Sequence, residues 1–73
     1  MAAPRPAPPS DSAATQLATI ADHVDDYRSR VSDLAEPFEG TEREDLAIAM
    51  REAERQLRSA VRTLQRAARS ASQ

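Results

Sequence analysis

The sequence predicts an all-α protein: an antiparallel two-helix hairpin of coiled-coil character, which we expect to dimerise into a four-helix bundle. The first observation behind this prediction is composition, because the 73 residues include 15 alanines and one glycine, and 30% are charged. Such a composition is typical of long helices when the apolar residues are periodic. The second observation is that large apolar residues recur at alternating spacings of three and four residues in two stretches. The third is a proline and a glycine between those stretches.

The N-terminal residues 1–11 differ in composition from the rest of the chain. They hold four of the five prolines, and proline favours polyproline II structure and does not fit inside a helix. We interpret this segment as a disordered tail, although a proline-rich segment is also a candidate docking motif. Residues 12–73 then form the hairpin.

The first helix is expected over residues 12–36. Lettering its seven-residue repeat a to g puts the large apolar residues at a and d. The a positions are Leu17, Val24, Val31 and Phe38, and the d positions are Ile20, Tyr27 and Leu34. Ser10, Asp11 or Ser12 is expected to cap the start, because a short polar side chain accepts a hydrogen bond from a free backbone N–H. Pro37 ends the helix, since the residue before a proline disfavours helical dihedral angles.

A tight turn over residues 37–41 is expected to connect the helices. Gly40 permits the positive φ angle that such a turn requires. Thr41 followed by Glu44 matches the capping box, in which the threonine hydroxyl bonds to the backbone N–H three residues later. Acidic side chains in the first turn suit the dipole of the next helix. They are Glu42, Glu44 and Asp45.

The second helix is expected over residues 42–70, with smaller apolar residues than the first. Its a positions are Met50, Leu57, Leu64 and Ala71, and its d positions are Leu46, Ala53, Ala60 and Ala67. A short connection makes the two helices antiparallel neighbours. Their a and d rows are then expected to face each other in layers whose residue numbers add to 84, such as Tyr27 with Leu57. Several layers join a large residue to an alanine, which allows close approach.

Charge favours the same pairing of the helices. Residues 11–39 contain seven acidic residues and two arginines, whereas residues 51–73 contain six arginines and two acidic residues. Folding back therefore places an acidic helix beside a basic one. Each exposed ion pair contributes only ~0.2–1 kcal/mol, but together they disfavour parallel or misregistered pairing.

A second apolar row motivates the expected dimer. It lies at the e positions, Ala14, Ala21 and Ala35 in the first helix and Ala47, Val61 and Ala68 in the second. One hairpin of this size buries little apolar surface, so we expect a second copy of the chain, or another protein, to cover this row. The predicted core of the hairpin and its oligomer is Leu17, Ile20, Val24, Tyr27, Val31, Leu34, Phe38, Leu46, Met50, Leu57, Val61 and Leu64.

The polar residues form no catalytic pattern in the sequence. His23 lies near Asp22 and Asp26, a spacing that metal sites use, but it is expected to be solvated at the flank of the helix pair. No serine or threonine has a partner base, and no glycine-rich phosphate loop occurs. We therefore expect no enzymatic activity, metal or cofactor.

Composition also suggests where the protein works. The chain lacks cysteine, which suits a reducing cytoplasm. All ten basic residues are arginine, as expected from a GC-rich bacterial genome. No apolar run approaches the ~18 residues that a membrane span needs. The sequence therefore predicts a cytoplasmic bacterial protein with no transmembrane segment.

A row of arginines on the second helix is the remaining feature. It consists of Arg51, Arg55, Arg58, Arg62, Arg66 and Arg69. These residues fall at b, c and f positions, opposite the predicted contact between the helices. They form a solvated face supported by Glu52 and Glu54, a docking surface for an acidic protein, or a phosphate-binding surface for nucleic acid or anionic lipid.

The sequence favours one function and leaves one alternative. The favoured function is a small non-enzymatic α-helical module for protein–protein interaction and oligomerisation, with itself, another protein or both as partners. The alternative is a nucleic-acid-associated small regulator that binds phosphates through the arginine row. Nucleic acid is the less favoured partner, because no aromatic side chains are interleaved with the arginines to stack on bases.

Overall fold

A computed structural model, which describes residues 3–73, confirms the all-α helical hairpin. Helix α1 spans Ser10–Ala35, a short 3-10 turn spans Glu36–Phe38, and helix α2 spans Glu44–Ala71. The two long helices pack against each other, and the described residues include no strand. Residues 1 and 2 of the predicted disordered tail lie outside the described part, and residues 3–9 are exposed without regular secondary structure.

Helix α1 begins earlier than expected and without the predicted side-chain cap. Pro9, with φ −56° and ψ 128°, precedes its first residue, and no side chain caps the free N–H groups. Ser10, Asp11 and Ser12 therefore lie inside the first turn, where they cannot act as the residue before the helix. The Ser12 hydroxyl instead accepts a hydrogen bond from Gln16 Nε2 at 3.0 Å.

The chain turns at the predicted breakers. Helix α1 ends at Ala35, two residues before Pro37. Gly40 adopts a φ of 72°, as the sequence predicts. Since an L side chain is disfavoured at this φ, the glycine is required by the backbone rather than by crowding, and a Cβ placed there would meet nothing within 4 Å.

The predicted capping box is wrong, because Thr41 holds the turn instead of the helix. Its hydroxyl donates to the Phe38 carbonyl at 2.6 Å and accepts from the backbone N–H of Arg43 at 3.2 Å. Helix α2 consequently begins at Glu44, two residues later than expected. Glu44 and Asp45 nevertheless occupy its first turn, where the helix dipole favours acidic groups.

The two helices meet through their e rows, with the half-buried a rows beside the contact, and not through their d rows. All five buried residues are at e positions: Ala21, Ala35, Ala47, Glu54 and Val61. The a residues are half-buried at the margin of this contact. The expectation that the bulky a and d side chains lie between the two helices is therefore wrong for the d row. Small side chains at the contact let helix axes come closer, and alanine dominates the e rows.

The d residues of α1 lie outside the contact between the helices. Ile20 is 46% exposed, Tyr27 57% and Leu34 61%. The axial register is close to the expected one, because Arg28 and Glu54 face each other with Nη1 to Oε2 at 3.3 Å. Residue numbers at equal height thus add to about 82 instead of 84. The helices differ from the prediction mainly by rotation about their own axes.

The folded chain is a plate about one helix thick. Its principal extents are 59 × 28 × 12 Å, and a helix with its side chains is ~10–12 Å across. No large side chain of the described residues is fully buried in it. A stable domain normally has two packed layers, so one broad side of the plate lacks the layer that would cover it.

Candidate interaction site

The plate has one apolar and one charged broad face, and the angular spacing of residues around each helix axis explains why. Each residue advances about 100° around a helix axis. The d row therefore lies about 100° to one side of the e row, and the f row about 100° to the other. Because α1 and α2 are antiparallel, the d rows of both helices face the same broad side.

We call this side the apolar face, and it comprises the a and d rows of both helices. Its a rows are half-buried beside the contact, whereas most d residues are exposed. The members are Leu17, Ile20, Val24, Tyr27, Val31, Leu34, Phe38, Leu46, Met50, Ala53, Leu57, Ala60, Leu64, Ala67 and Ala71. Eleven of the twelve residues predicted as hairpin and oligomer core lie on this face, and the twelfth, Val61, is buried at e.

We call the other broad side the charged face, and its centre is Glu54. This residue is only 9% exposed. Its carboxylate accepts hydrogen bonds from Arg28 at 3.3 Å, Arg58 at 3.2 Å and Arg51 at 3.4 Å. Arg28 comes from α1, so the cluster joins the two helices, and Asp25 holds the other side of its guanidinium at 2.7 Å.

Arg51 extends the cluster toward the turn. Its Nη1 donates to the Ser32 hydroxyl at 2.8 Å, and its Nε donates to Glu39 at 2.6 Å. Both partners precede α2, so this one side chain ties α2 to the end of α1 and to the turn. The described residues contain no buried side-chain nitrogen or oxygen without a hydrogen-bond partner.

The surroundings of Glu54 favour its charged form. Burial by itself raises the pKa of this carboxyl, but the nearby Ser32 hydroxyl and the charges of Arg58 and Arg51 outweigh burial. The pKa of Glu54 is therefore lowered below its ordinary value of 4.5. The ion cluster is consequently present throughout the neutral range.

The predicted arginine row divides into two halves in the structure. Arg51, Arg55 and Arg58 each contact a carboxylate: Arg51 and Arg58 contact Glu54, and Arg55 contacts Glu52. Arg51 is also half-buried against α1, which differs from the expected outward position because b positions border the e row.

The second half of the arginine row is exposed. The members of this half are Arg62, Arg66 and Arg69. Among residues 3–73, none of the three has a carboxylate within 4.0 Å. They are the part of the row that remains available for an anionic group.

His23 lines a shallow, open depression with Asp26, Tyr27 and Arg30. The Arg30 guanidinium lies 5.7 Å from the centre of the Tyr27 ring, at cation–π distance. No group of three or more potential metal-binding side chains is brought together within residues 3–73. Neither described helix is long and apolar enough to cross a membrane.

The Arg28–Glu54 pair is the element that sequence reasoning missed. The sequence places Glu54 on the solvated arginine face, as a partner for arginines of its own helix. In the structure it lies between the helices. The signal was present, because Arg28 and Glu54 are the only charged residues at e positions otherwise filled by alanine and valine, and they carry opposite charges.

Comparison of the chain with protein-family models, with curated proteins and with solved structures found no match.

Proposed function

We propose that this chain is a small non-enzymatic interaction module whose hairpins pair through their apolar faces to form a four-helix bundle. The observation that carries the proposal is the exposure of Ile20, Tyr27 and Leu34 on one side of a one-layer plate. Exposed apolar groups grouped on one side of a protein mark an interaction surface. A charged side chain among these apolar groups would argue against an interaction surface. The a and d rows, however, contain only apolar residues and Tyr27.

A second copy of the chain is the occupant that the surface fits. The apolar face is ~32 Å long, from Leu46 to Ala67 at ~1.5 Å per residue, and about two helices wide, or ~20 Å. Two copies face to face thus cover on the order of 1,200 Å² in total, near the lower end for stable interfaces. The a, d and e pattern is also what a helix needs in a bundle, with a toward the centre and d and e toward its two neighbours.

The mass in solution tests the proposal. Light scattering after size exclusion is expected to give a mass of about twice the 8.0 kDa of one chain. Helicity measured by circular dichroism is expected to fall together with that mass on dilution, because assembly and folding are coupled. A chain of single mass that stays fully helical on dilution would overturn the proposal.

Nucleic-acid binding is the second candidate function, supported by Arg62, Arg66 and Arg69, which are exposed and have no carboxylate within 4.0 Å among residues 3–73. Phosphate contacts release counterions, so binding to a DNA or RNA duplex would weaken linearly with the logarithm of salt concentration. Apolar assembly would not show this dependence. A titration at two salt concentrations distinguishes the functions, and binding that is absent at low salt excludes the second one.

Compositional evidence supports a setting for this module in the bacterial cytoplasm. The evidence is the absence of cysteine and the use of arginine in place of lysine.

A further inference from the structure

We infer that in the dimer α1 of each copy packs against α2 of the partner subunit, with Ile20 and Tyr27 of α1 lying between alanines of the partner's d row. The inference rests on the proposed self-association and specifies how the copies are oriented. Two-fold symmetry allows two ways to place one apolar face on the other. An axis parallel to the helices puts α1 on the partner's α2, whereas an axis across the helices puts α1 on α1 and α2 on α2.

Side-chain size separates the two orientations. The d row of α1 is bulky, with Ile20, Tyr27 and Leu34, and the d row of α2 is small except at its start, with Leu46, Ala53, Ala60 and Ala67. Placing α1 on α1 would bring the bulky rows together and leave the two alanine rows facing each other across a gap. Placing α1 on α2 matches large to small on both sides, which fills the space at native density.

The register of the hairpin shows where the bulky side chains would lie. The contacts of Arg28 with Glu54 and of Arg51 with Ser32 give the approximate relative heights of the two helices, and an axis parallel to the helices gives the partner's α2 the same heights. Tyr27 is then level with position 55, between Ala53 and Ala60 of the partner subunit. By the same rule Ile20 lies between Ala60 and Ala67, and Leu34 between Leu46 and Ala53.

Charge independently favours the same orientation. Helix α1 carries five acidic residues and two arginines, a formal charge of −3. Helix α2 carries four acidic residues and six arginines, a formal charge of +2. Packing α1 on the partner's α2 makes every neighbouring pair of helices opposite in charge, whereas α1 on α1 and α2 on α2 would place like charges together.

Cysteine cross-linking tests the orientation cleanly, because the chain has no cysteine of its own. The variants Tyr27→Cys and Ala53→Cys are mixed in equal amounts, unfolded, refolded together and oxidised. Intact mass spectrometry resolves the three disulfide dimers by the mass of the replaced side chains. Random pairing would make the mixed disulfide, Tyr27→Cys with Ala53→Cys, half of all cross-linked dimers. The proposed orientation is expected to make it nearly all of them, since a disulfide needs Cα atoms about 4.4–6.8 Å apart.

The outcomes separate this inference from the proposed function. Dimers in which Tyr27→Cys pairs with itself, a random mixture, or a dimer without cross-links would overturn the orientation and leave self-association standing. A single-chain mass for the native protein before oxidation would overturn both. If Tyr27→Cys weakens the dimer, the pair Ile20→Cys and Ala60→Cys tests the same arrangement, and the exposed Ser29→Cys on the other side of α1 is the control expected to give no cross-link.

Discussion

The two broad faces of the hairpin differ in how far their side chains find partners within one chain. On the charged face, Glu54 has three arginine partners, one of which reaches across from α1. On the apolar face, Leu34 and Tyr27 remain more than half exposed. The buried carboxylate at the centre of the charged face is therefore fully paired within a single chain, whereas the apolar face has no covering layer in the single chain.

This difference assigns separate physical roles to the two faces. Ion pairs near a surface add little stability but have specific geometry, so the Arg28–Glu54 pair fixes which residues of the helices lie at equal height. Apolar contact is strong and non-directional, so in the proposed dimer the apolar face would provide the free energy of association. Changes on the apolar face should affect mass and helicity together, whereas changes on the charged face should mainly affect pH dependence.

The largest effect is expected from Leu57→Asp, at the a position where the apolar face meets the bundle centre. An unpaired charge buried there costs ~3–5 kcal/mol or more, which exceeds what a chain of this size can spare. Circular dichroism and light scattering are expected to show loss of both helicity and dimer mass. Ser59→Asp, two residues later at an exposed position, is the control expected to stay folded. Unchanged helicity in Leu57→Asp would refute the packing described above.

A matched pair of truncations compares the two faces directly. Leu34 on the apolar face is 61% exposed in the hairpin and Ile48 on the charged face is 66% exposed. Leu34→Ala is expected to lower the free energy of unfolding by ~2–3 kcal/mol, because in the proposed dimer a second copy would cover this side chain. Ile48→Ala should change it by less than ~0.5 kcal/mol, as a surface substitution does. Urea denaturation at one protein concentration measures both, and equal small effects would contradict a covered apolar face.

A smaller effect is expected from Glu54→Gln on the charged face, and it should depend on pH. Burial raises the pKa of Glu54, but the nearby Ser32 hydroxyl and the charges of Arg58 and Arg51 lower it by more, so this pKa is lowered in the folded chain. Its contribution to stability is therefore fully present above the ordinary value of 4.5 and is lost as pH falls through the lower folded value.

Urea midpoints measured for both proteins test that sign. The native chain is expected to have the higher midpoint at pH 7, and the difference from Glu54→Gln should shrink as the pH falls below 4.5 and through the lower folded pKa. The dimer mass should be unchanged in the variant at pH 7. A difference that is independent of pH would show that the Glu54 carboxylate is not held in the charged cluster.

The smallest effect is expected from replacing Arg62, Arg66 and Arg69 together by glutamine. These side chains have no carboxylate within 4.0 Å among the described residues, so each change should alter the free energy of unfolding by less than ~0.5 kcal/mol. Mass and helicity should remain those of the native chain. A loss of dimer mass would show that these arginines lie in the interface, contrary to their position outside the apolar face.

The hairpin itself could be predicted from sequence, because its signals are local. The spacings of the large apolar residues, Pro37 and Gly40 each constrain the chain within a few residues, and the two helices follow from them. Helix α2 begins two residues after its predicted start, because Thr41 has two competing sets of hydrogen-bond partners. In the structure the Thr41 hydroxyl bonds to the carbonyl of Phe38 and the N–H of Arg43. The sequence pattern of a capping box does not distinguish these partners from the N–H of Glu44.

The rotation of the helices could not be predicted, because it depends on contacts between distant residues. Weighting apolar positions by side-chain size favours a contact through Tyr27 and Leu57. Alanines such as Ala21 and Ala35 carry little weight in such a pattern, yet they allow the closest approach of two helices. The opposite charges of Arg28 and Glu54, at e positions in facing layers, are the one sequence feature that indicates the observed rotation.

The accessibility of Tyr27 tests most directly whether the apolar face is covered. The chain has one tyrosine and no tryptophan, so its intrinsic fluorescence reports this single side chain on the apolar face. Quenching by acrylamide should be much weaker at a concentration where the chain has twice its single mass than in the urea-unfolded chain, and it should strengthen on dilution as the mass falls. Quenching that matches the unfolded chain while the protein is fully helical would contradict a covered apolar face.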